Sequence, residues 1–501
     1  MSGTGKRKEK NGTENGVRKS GLEQNRCVNQ KRCGSCRYLS LTYEQQLAKK
    51  EEYVRKSLEK GLVKRVMPVI GMDDPYHYRN KVTAVFARDR KGNPVSGVYE
   101  GGTHHVLPVE ECLIEDALAD KIIGTIRGML KSFKIWIYDE DTRRGLLRYV
   151  LVRRGFTTGQ VMVVLVTASP VFPSKKNFVQ ALLREHPEIT TVVQNINPRT
   201  DSLILGDRQQ VLYGKGYIED VLCGCTFRIS PSSFYQINPV QTEKLYGKAI
   251  ELAALTGKEK VIDAYCGIGT IGLIAASRPG GRKAGSVLSI ELNPDAVRDA
   301  ITNAKRNGID NVRFFRADAG EFMEKMAVQG ARADVLFMDP PRSGSTEAFM
   351  RSAAKLGPDR IVYISCNPET LGRDLKVFRK LGYQAGEVWP VDMFPWTESC
   401  ETCVLLSKLK STQHIEVKVD MNEMDVTAAE SKATYEEIRA YVLEHTGLKV
   451  SNLYIAQVKQ KYGIIERENY NKPKSENSRQ PKCPPEKEAA IKDALVHFKM
   501  I

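Results

Sequence analysis

The stretch VIDAYCGIGTIG, residues 261–272, decides the fold of this chain. A short apolar run leads into a turn with Gly267, Gly269 and Gly272 at G-x-G-x-x-G spacing, and a helical pattern follows. Glycines at this spacing let a ligand approach the backbone between a strand and a helix. Glu291 ends the next apolar run, where a carboxylate can bind ribose hydroxyls. The pattern predicts a nucleotide-type cofactor site, but it does not distinguish NAD from S-adenosylmethionine.

Short apolar runs alternate with helical patterns on both sides of this turn, over residues 236–410. The alternation predicts an α/β domain with a doubly wound, Rossmann-like parallel sheet. Residues 81–99 and 148–230 are instead rich in short β-type runs separated by Gly and Asn. We therefore interpret residues 27–235 as an α+β middle domain that carries a group of cysteines.

The two ends of the chain are polar. Residues 1–26 are rich in Lys and Arg without apolar periodicity, which predicts a disordered basic arm. Residues 415–501 are predicted to be a C-terminal extension with two short helices, at 434–445 and 451–462, and an extended tail over 467–495. Such a helix–turn–helix pair can enter a nucleic-acid groove or pack as a helical cap, and the sequence favours neither.

Charge and composition narrow the function classes. The 501 residues carry 76 Lys and Arg against 60 Asp and Glu, a formal charge of +16, which indicates a polyanionic partner such as RNA. No apolar stretch is long enough to span a bilayer, and the N-terminus has no apolar signal region. We therefore expect a cytoplasmic monomer without membrane or DNA partners. In that compartment the 11 cysteines are expected to be core residues, metal ligands or nucleophiles rather than disulfides.

Two further motifs at predicted strand ends separate the cofactor candidates. Asp339 begins an Asp-Pro-Pro-Arg sequence after the fourth apolar run, and an acidic-Pro-Pro motif there is typical of methyltransferases that act on nucleic-acid bases. An Asp that caps a turn stiffened by prolines is the structural alternative. Cys366, in Ser-Cys-Asn-Pro, ends another buried run. Ligand crevices in doubly wound sheets lie outside the carboxyl ends of the strands, so Cys366 should face the glycine turn.

A thiol in a crevice beside a methyl donor has a well-defined use. Thiolate addition to C6 of uracil makes C5 nucleophilic enough to take a methyl group, and a base then removes the C5 proton so that the thiolate can leave. Glu398 and Glu401 precede the last apolar run, TCVLLSKL, and are the two candidates for this base.

With these motifs the chain resembles the RNA uracil-5-methyltransferases of the TrmA/RumA group, in particular the iron–sulfur members of RumA or RlmD type that modify 23S ribosomal RNA. The resemblance covers roughly residues 27–410. It implies S-adenosylmethionine-dependent methylation of uracil C5 in RNA. The motifs that carry it are RNK (79–81), SSFYQIN (232–238), DAYCGIGTIGL (263–273), DPPRSG (339–344), SCNPETLGRD (365–374) and DMFPWTESCETCVLL (392–406).

The resemblance also implies residue roles. By position it makes Cys366 the nucleophile and Glu401 the proton-abstracting base. Ser399 stands where the family commonly has His, so the choice of Glu401 over Glu398 depends on the register of the motif. The resemblance further implies that S-adenosylmethionine is contacted by Gln236, Tyr265, Glu291 and Asp339, with Asp318 as a weaker candidate at the adenine end.

Cys27, Cys33 and Cys36 have the spacing C-x5-C-x2-C, which suggests a zinc site or an iron–sulfur cluster that needs a fourth ligand. Cys112 is the only other cysteine before residue 220. The resemblance implies that these four cysteines hold a [4Fe–4S] cluster with a structural role. Radical S-adenosylmethionine chemistry is disfavoured by the spacing, and free surface thiols remain the alternative.

Other functions stay open at this point. A transfer-RNA uracil-5-methyltransferase, a cytosine-5-methyltransferase, a non-catalytic iron–sulfur RNA-binding protein and an NAD oxidoreductase each explain part of the pattern. Long relatives also have an N-terminal TRAM domain that binds RNA, and the 26 residues before Cys27 are too few for one. We therefore expect the basic arm, the middle domain or the C-terminal helices to bind RNA.

Overall fold

The computed structural model describes residues 27–277, 282–409, 434–462, 483–498 and 500. The chain divides into two compact units, residues 1–410 and 411–501. Within the described ranges no helix is both long and apolar enough to cross a membrane.

The first unit contains two large sheets. Its strands are β1 (Val63–Val66), β2 (Lys81–Arg88), β3 (Pro94–Tyr99), β4 (Val106–Pro108), β5 (Leu147–Arg154), β6 (Val161–Thr167), β7 (Ile189–Ile196), β8 (Arg208–Tyr213), β9 (Ile218–Leu222), β10 (Cys225–Ile229), β11 (Lys260–Ala264), β12 (Ser286–Glu291), β13 (Val312–Arg316), β14 (Val335–Met338), β15 (Arg360–Ser365), β16 (Tyr383–Val391) and β17 (Glu401–Lys408). Its helices are α1 (Gln30–Cys33), α2 (Tyr43–Ser57), α3 (Ala117–Met129), α4 (Lys175–Glu185), α5 (Pro239–Ala253), α6 (Thr270–Ser277), α7 (Pro294–Arg306), α8 (Ala319–Val328), α9 (Glu347–Leu356) and α10 (Pro368–Lys380).

The larger sheet has eight strands in the order β1-β16-β17-β15-β14-β11-β12-β13. Strands β11 to β15 pair in parallel, each preceded or followed by a helix, which confirms the predicted α/β class. Strand β17 is antiparallel to both of its neighbours, so the sheet is mixed rather than wholly parallel. Only a short loop joins β16 to β17, and a parallel pairing would need a crossover connection.

The eighth strand comes from far away in the sequence. Strand β1 lies within the predicted middle domain, yet it pairs in parallel with β16, with Val63 opposite Ala385. Helix α2 leads into β1 and begins with a capping box between Thr42 and Gln45. It packs against α10. Residues 43–66 therefore complete the larger sheet.

The second sheet has seven strands in the order β4-β3-β2-β5-β6-β7-β8. One face packs on helices α3 and α4 through a core that includes Val82, Phe86, Ile122 and Val163. The opposite face carries Tyr149 and Leu151, and these residues join the core shared with the larger sheet. The hairpin β9–β10 contributes to the same shared core and contacts α5, α6 and α7.

The described residues of the second unit form three helices, α11 (Tyr435–Thr446), α12 (Asn452–Lys461) and α13 (Pro485–His497). The two predicted helices are present, and Ile455 and Val458 face their common core. The extended tail predicted over 467–495 is wrong for residues 485–495, because Ile491 and Leu495 of α13 fill that core. Residues 467–482 lie outside the described residues.

The lysines of this unit are not all exposed. The Lys459 side chain is buried, with its ammonium 4.4 Å from the centre of the Tyr435 ring. Lys461 forms an ion pair with Glu488 of α13. These contacts lie between helices of the second unit, and the Lys461 side chain is still 61% exposed. Both interpretations of α12 stay predictions.

Candidate active site

The glycine turn between β11 and α6 has the conformation that its sequence predicts. Gly267 and Gly269 have φ angles of +56° and +83°, which residues with a side chain adopt only at a cost in free energy. A Cβ atom on Gly272 would lie 2.8 Å from the Asp263 carboxylate and 2.7 Å from the Ser289 hydroxyl oxygen. The third glycine therefore lets α6 approach the sheet closely.

Two carboxylates hold this turn. The backbone N–H of Gly272 donates to Oδ2 of Asp263 at 2.8 Å. The N–H groups of Gly267 and Asn293 donate to the two carboxylate oxygens of Glu291, at 3.0 and 2.7 Å. Glu291 is thereby fixed at the end of β12, with its carboxylate beside the turn.

A cavity of about 530 Å³ lies at the carboxyl ends of the central strands, and we call it the strand-end cavity. Its lining residues lie between Leu222 of β9 and Glu401 at the start of β17. The predicted residues Gln236, Tyr265, Glu291, Asp339, Cys366 and Glu401 all line it, together with Phe234, Tyr246, Arg342, Phe394 and Ser399.

The pairing of β15 with β17 brings the candidate nucleophile and base together. Ser365, the last residue of β15, pairs with Thr402 in antiparallel register. The Thr402 hydroxyl donates to the Ser365 carbonyl at 3.1 Å. Since the strands run in opposite directions, Cys366 and Glu401 lie opposite each other, one residue beyond this pair.

The loop before β17 leads the two carboxylates that the sequence left as alternatives, Glu398 and Glu401, to different surroundings. The Glu401 side chain is buried, with 4% of the residue exposed, and lines the strand-end cavity. Glu398 forms an ion pair with Arg37 at 3.2 Å, and its side chain is 54% exposed. Ser399 lines the cavity at the position where the resembling family commonly has His. Geometry therefore places Glu401, and not Glu398, beside Cys366.

Burial and the repulsion between neighbouring acidic groups raise the pKa values at this site. Burial, reinforced by Asp339, raises the pKa of Glu401 to about 8. Burial raises the pKa of Asp339 to about 7. It also raises the pKa of Cys366 to about 11, with Glu401 and Asp339 adding to the shift and Arg342 opposing it. A ligand with positive charge would relieve this excess of carboxyl groups.

Arg342 is the cation at this site, and sequence reasoning gave it no role beyond the Asp-Pro-Pro-Arg motif. Its positive charge lowers the pKa of both Cys366 and Glu401. Its carbonyl accepts hydrogen bonds from Asn367 and Thr370, each at 3.3 Å. These bonds tie the loop after β14 to the start of α10, so the loops that carry Asp339 and Cys366 form one wall.

The seven-stranded sheet, called the middle sheet below, holds the segment that carries Gln236. Asn80, just before β2, donates its side-chain N–H to the Gln236 carbonyl at 3.2 Å. Its backbone N–H donates to the Ile237 carbonyl at 2.9 Å. Phe234 lines the cavity and is still 65% exposed. The SSFYQIN motif contained Phe234, although no role was predicted for that residue.

Asp318 is placed differently from the other predicted cofactor residues. It is exposed and is the N-cap of α8, where its carboxylate accepts from the Glu321 N–H at 3.1 Å. The residues that line the strand-end cavity do not include it.

The four cysteines of the predicted metal site lie in one neighbourhood, which we call the thiol cluster. Cys27, Cys36 and Cys112 pack against a small core that includes Trp396. The Cys33 thiol forms a hydrogen bond of 3.4 Å with the Ser35 hydroxyl. The donor type suits a metal, but among the described residues no group of three or more Cys, His, Asp or Glu side chains is arranged to hold one. The iron–sulfur cluster therefore stays a prediction.

Comparisons with known proteins agree with this site. Residues 193–409 match the family model described as tRNA (uracil-5-)-methyltransferase. The chain is 42% identical over 377 residues to an uncharacterised RNA methyltransferase of Halalkalibacterium halodurans, covering 75% of this chain and 81% of the relative. It is 41% identical over 388 residues to another from Caldanaerobacter subterraneus, covering 76% and 84%.

A solved structure is similar as well. The Pyrococcus abyssi tRNA (uracil-54, C5)-methyltransferase, in complex with S-adenosyl-L-homocysteine, superposes with a TM-score of 0.63 at 27% identity. The match covers 78% of this chain and 87% of that one. The mixed α/β sheet, the strand-end cavity and these relatives together show that the chain belongs to the RNA uracil-5-methyltransferase family and is an S-adenosylmethionine-dependent RNA methyltransferase.

Proposed function

We propose that this enzyme methylates C5 of a uracil in RNA, with 23S ribosomal RNA as the leading substrate. The observation that carries the proposal is the position of Cys366 opposite Glu401 inside a cavity that also contains the glycine turn. A methyltransferase that acts on a nucleophilic nitrogen or oxygen has no need of a thiol and a buried carboxyl group on the same wall.

In the proposed mechanism the Cys366 thiol gives its proton to water, and its sulfur adds to C6 of the uracil, so that electron density moves to C5. S-adenosylmethionine supplies the methyl group that C5 takes. Glu401 then removes the proton from C5, the C6–sulfur bond breaks, and the thiolate of Cys366 is released. Arg342 favours the thiolate because its positive charge lowers the pKa of Cys366.

The cofactor roles of Gln236, Tyr265, Glu291 and Asp339 also belong to the proposal. Their support is that all four line the strand-end cavity and that Glu291 ends the strand next to the glycine turn. The carboxyl groups suit a sulfonium ligand because its positive charge relieves their repulsion.

The test is to map 5-methyluridine in ribosomal and transfer RNA from a strain that lacks this protein. Loss of one or more 5-methyluridines from 23S ribosomal RNA, restored by the wild-type chain and not by Cys366→Ala, is the expected result. Unchanged 5-methyluridine in both RNA classes would contradict uracil C5 methylation.

Transfer RNA is the second candidate substrate. The observation that favours it is the similarity, at 27% identity, to the structure of the Pyrococcus abyssi tRNA (uracil-54, C5)-methyltransferase. Loss of 5-methyluridine from transfer RNA alone in the same experiment would select this candidate.

We further propose that Cys27, Cys33, Cys36 and Cys112 hold a [4Fe–4S] cluster with a structural role. The support is that the four thiols lie in one neighbourhood and that thiolates are the ligands of such clusters. The mechanism above assigns no step to this cluster.

A further inference from the structure

A second cavity, of about 540 Å³, opens on the middle sheet, and we call it the sheet-face cavity. Its lining includes the aromatic rings of Tyr99, Tyr138 and Tyr149. The other charged or titratable residues that line it are Arg88, His104, Asp139, Glu140, Asp141, Arg143 and Arg148. These residues take no part in the mechanism proposed above. A cavity that combines several rings with a few polar groups is typical of a ligand site.

The polar groups of this cavity are built rather than accidental. Arg148 is only 4% exposed, and its guanidinium lies 4.8 Å from the centre of the Tyr138 ring. One of its terminal nitrogens donates to the Asn197 carbonyl at 2.9 Å, and another lies 3.5 Å from Glu140. Its Nε atom is buried and has no hydrogen-bond partner within the described ranges. A buried donor without a partner is costly, so the fold holds Arg148 beside the cavity at the expense of one hydrogen bond.

Glu140 provides the complementary acceptor. Its side chain is 46% exposed, and its carboxylate lies at long distances from its neighbours, 3.5 Å from the Tyr99 hydroxyl and 3.8 Å from His104. Weakly held carboxylate oxygens can accept further hydrogen bonds from a ligand. A planar ring with an amino group would stack on tyrosines and donate to this carboxylate.

The cavity lies on the sheet face that leads to the strand-end cavity. Lys81 and Val85 share one face of β2, opposite Arg153 and Tyr149 of β5. Arg153 donates to the Ser233 carbonyl at 2.9 Å, in the loop whose next residue lines the strand-end cavity. Val85 and Tyr149 line the sheet-face cavity. The path along β2 is about 14 Å, at ~3.4 Å per residue.

Basic residues lie at the end of this path that is nearer to the strand-end cavity. Lys81 lies between Arg79 and Arg153, and burial together with these two charges lowers its pKa to about 8. No ion pair or side-chain hydrogen bond involves the Lys81 ammonium in the part of the chain that the structure describes. A phosphate would relieve this repulsion, which suits a polyanionic strand that runs between the cavities.

We propose that the sheet-face cavity binds a second nucleotide of the RNA substrate, one whose base carries an exocyclic amino group. Tyrosine rings stack on any base, but the Glu140 carboxylate accepts from the amino groups of adenine, cytosine and guanine. Uracil presents a single ring N–H between two carbonyl oxygens, which repel a carboxylate. The proposal rests on RNA being the substrate, as the proposed function states.

The test uses fluorescein-labelled RNA 12-mers and the full chain, with binding measured by fluorescence anisotropy without S-adenosylmethionine. Alternating (UA)6 and (UC)6 can fill both cavities, whereas U12 can place a preferred base only in the strand-end cavity. We expect (UA)6 and (UC)6 to bind about tenfold more tightly than U12, as expected for one charge-assisted hydrogen bond.

Glu140→Ala should remove this preference, and Glu140→Gln should keep part of it because the amide oxygen still accepts. Glu185→Ala is the matched control. Glu185 is an exposed carboxylate at the end of α4, a helix that packs on the same sheet. Equal binding of the three RNAs by the wild type, or an undiminished preference in Glu140→Ala, would overturn the proposal.

RNA methylation by the wild type is measured alongside. Methylation with no base preference means that the sheet-face proposal fails while the proposed function stands. A base preference that depends on Glu140, without any methylation, means that the sheet-face proposal stands while the proposed function fails.

Discussion

The strand-end cavity and the thiol cluster both place cysteines near carboxyl groups, and they differ in what surrounds the sulfur. Cys366 faces an open cavity of about 530 Å³ that it shares with Glu401. Cys36 and Cys112 instead pack against a core that contains Trp396.

The thiol pKa does not distinguish the two regions. Burial raises the pKa of Cys366 to about 11, and it raises those of Cys36 and Cys112 to about 12. What differs is access for a substrate base and the position of Glu401 opposite the sulfur. The comparison teaches that cavity and geometry, rather than acidity, identify the nucleophile in this chain.

Replacing the nucleophile should have the largest effect. Cys366→Ala should lower methyl transfer to RNA by more than about 10³-fold, because covalent addition to C6 is lost. Its affinity for S-adenosylmethionine, measured by calorimetry, should stay within about twofold of the wild type, since the thiol acts on the base. Cys483→Ala in the second unit is the control and should behave as wild type. Substantial activity in Cys366→Ala would remove the distinction between the two regions.

Replacing the base should trap an intermediate. Glu401→Gln should lower turnover by about 10²- to 10⁴-fold, because C5 proton removal loses its general base. A covalent complex of protein and RNA should therefore accumulate, visible as a shifted band on a denaturing gel. Glu398→Gln is the matched control, because Glu398 pairs with Arg37 at the surface. Accumulation in Glu398→Gln with normal turnover in Glu401→Gln would reverse the assignment.

The pH dependence should follow the raised carboxyl pKa. Glu401 must be ionised to accept a proton, and its pKa in the free protein is raised to about 8. The kcat/KM for RNA methylation should therefore rise with pH from about 6 to about 9. A profile that falls with pH over this range would argue against Glu401 as the base.

The same pKa affects stability. A carboxyl group whose folded pKa is about 8 takes up a proton when the chain folds between about pH 5 and about pH 8, so its contribution to stability is lost as pH rises towards 8. Glu401→Gln should therefore raise the melting temperature, relative to wild type, more at pH 8 than at pH 5. An equal shift at both pH values would mean that Glu401 titrates normally.

Replacing cysteines of the thiol cluster should change the metal content of the protein rather than the steps of methyl transfer. Protein purified without oxygen should carry about four irons per chain if the cluster is of the [4Fe–4S] type. Cys112→Ser should lose this iron to the same extent as Cys33→Ser, with Cys483→Ser as the control. Iron and sulfide analysis decides, and stoichiometric zinc without iron would make the region a different kind of metal site.

Removing the second unit should have the smallest effect. A chain that ends at Lys410 should keep the S-adenosylmethionine affinity and the rate at saturating RNA. The Lys459 side chain is buried within this unit, whereas Lys461 is 61% exposed and pairs with Glu488, so only a modest loss of RNA affinity is expected. RNA binding at several salt concentrations measures it, and an unchanged salt dependence would leave the unit with no RNA contacts.

Much of the strand-end cavity could be predicted because its parts are local. The glycine turn, Asp339 and Cys366 each follow a buried strand directly, and parallel strands bring their carboxyl ends to one edge. The sheet-face cavity could not be predicted in this way. Tyr99, Tyr138 and Tyr149 come from three separate segments, and no motif in the sequence connects them.

The sequence by itself determined the α/β class, the glycine turn and the strand-end position of Cys366, because each depends on neighbouring residues at a junction of strand and helix. The tertiary structure alone decided that β1 completes the larger sheet and that residues 485–497 form a helix. These features depend on register and packing between segments far apart in the chain. A single sequence does not encode such pairings in any local pattern, and they form only when the chain buries its apolar faces together.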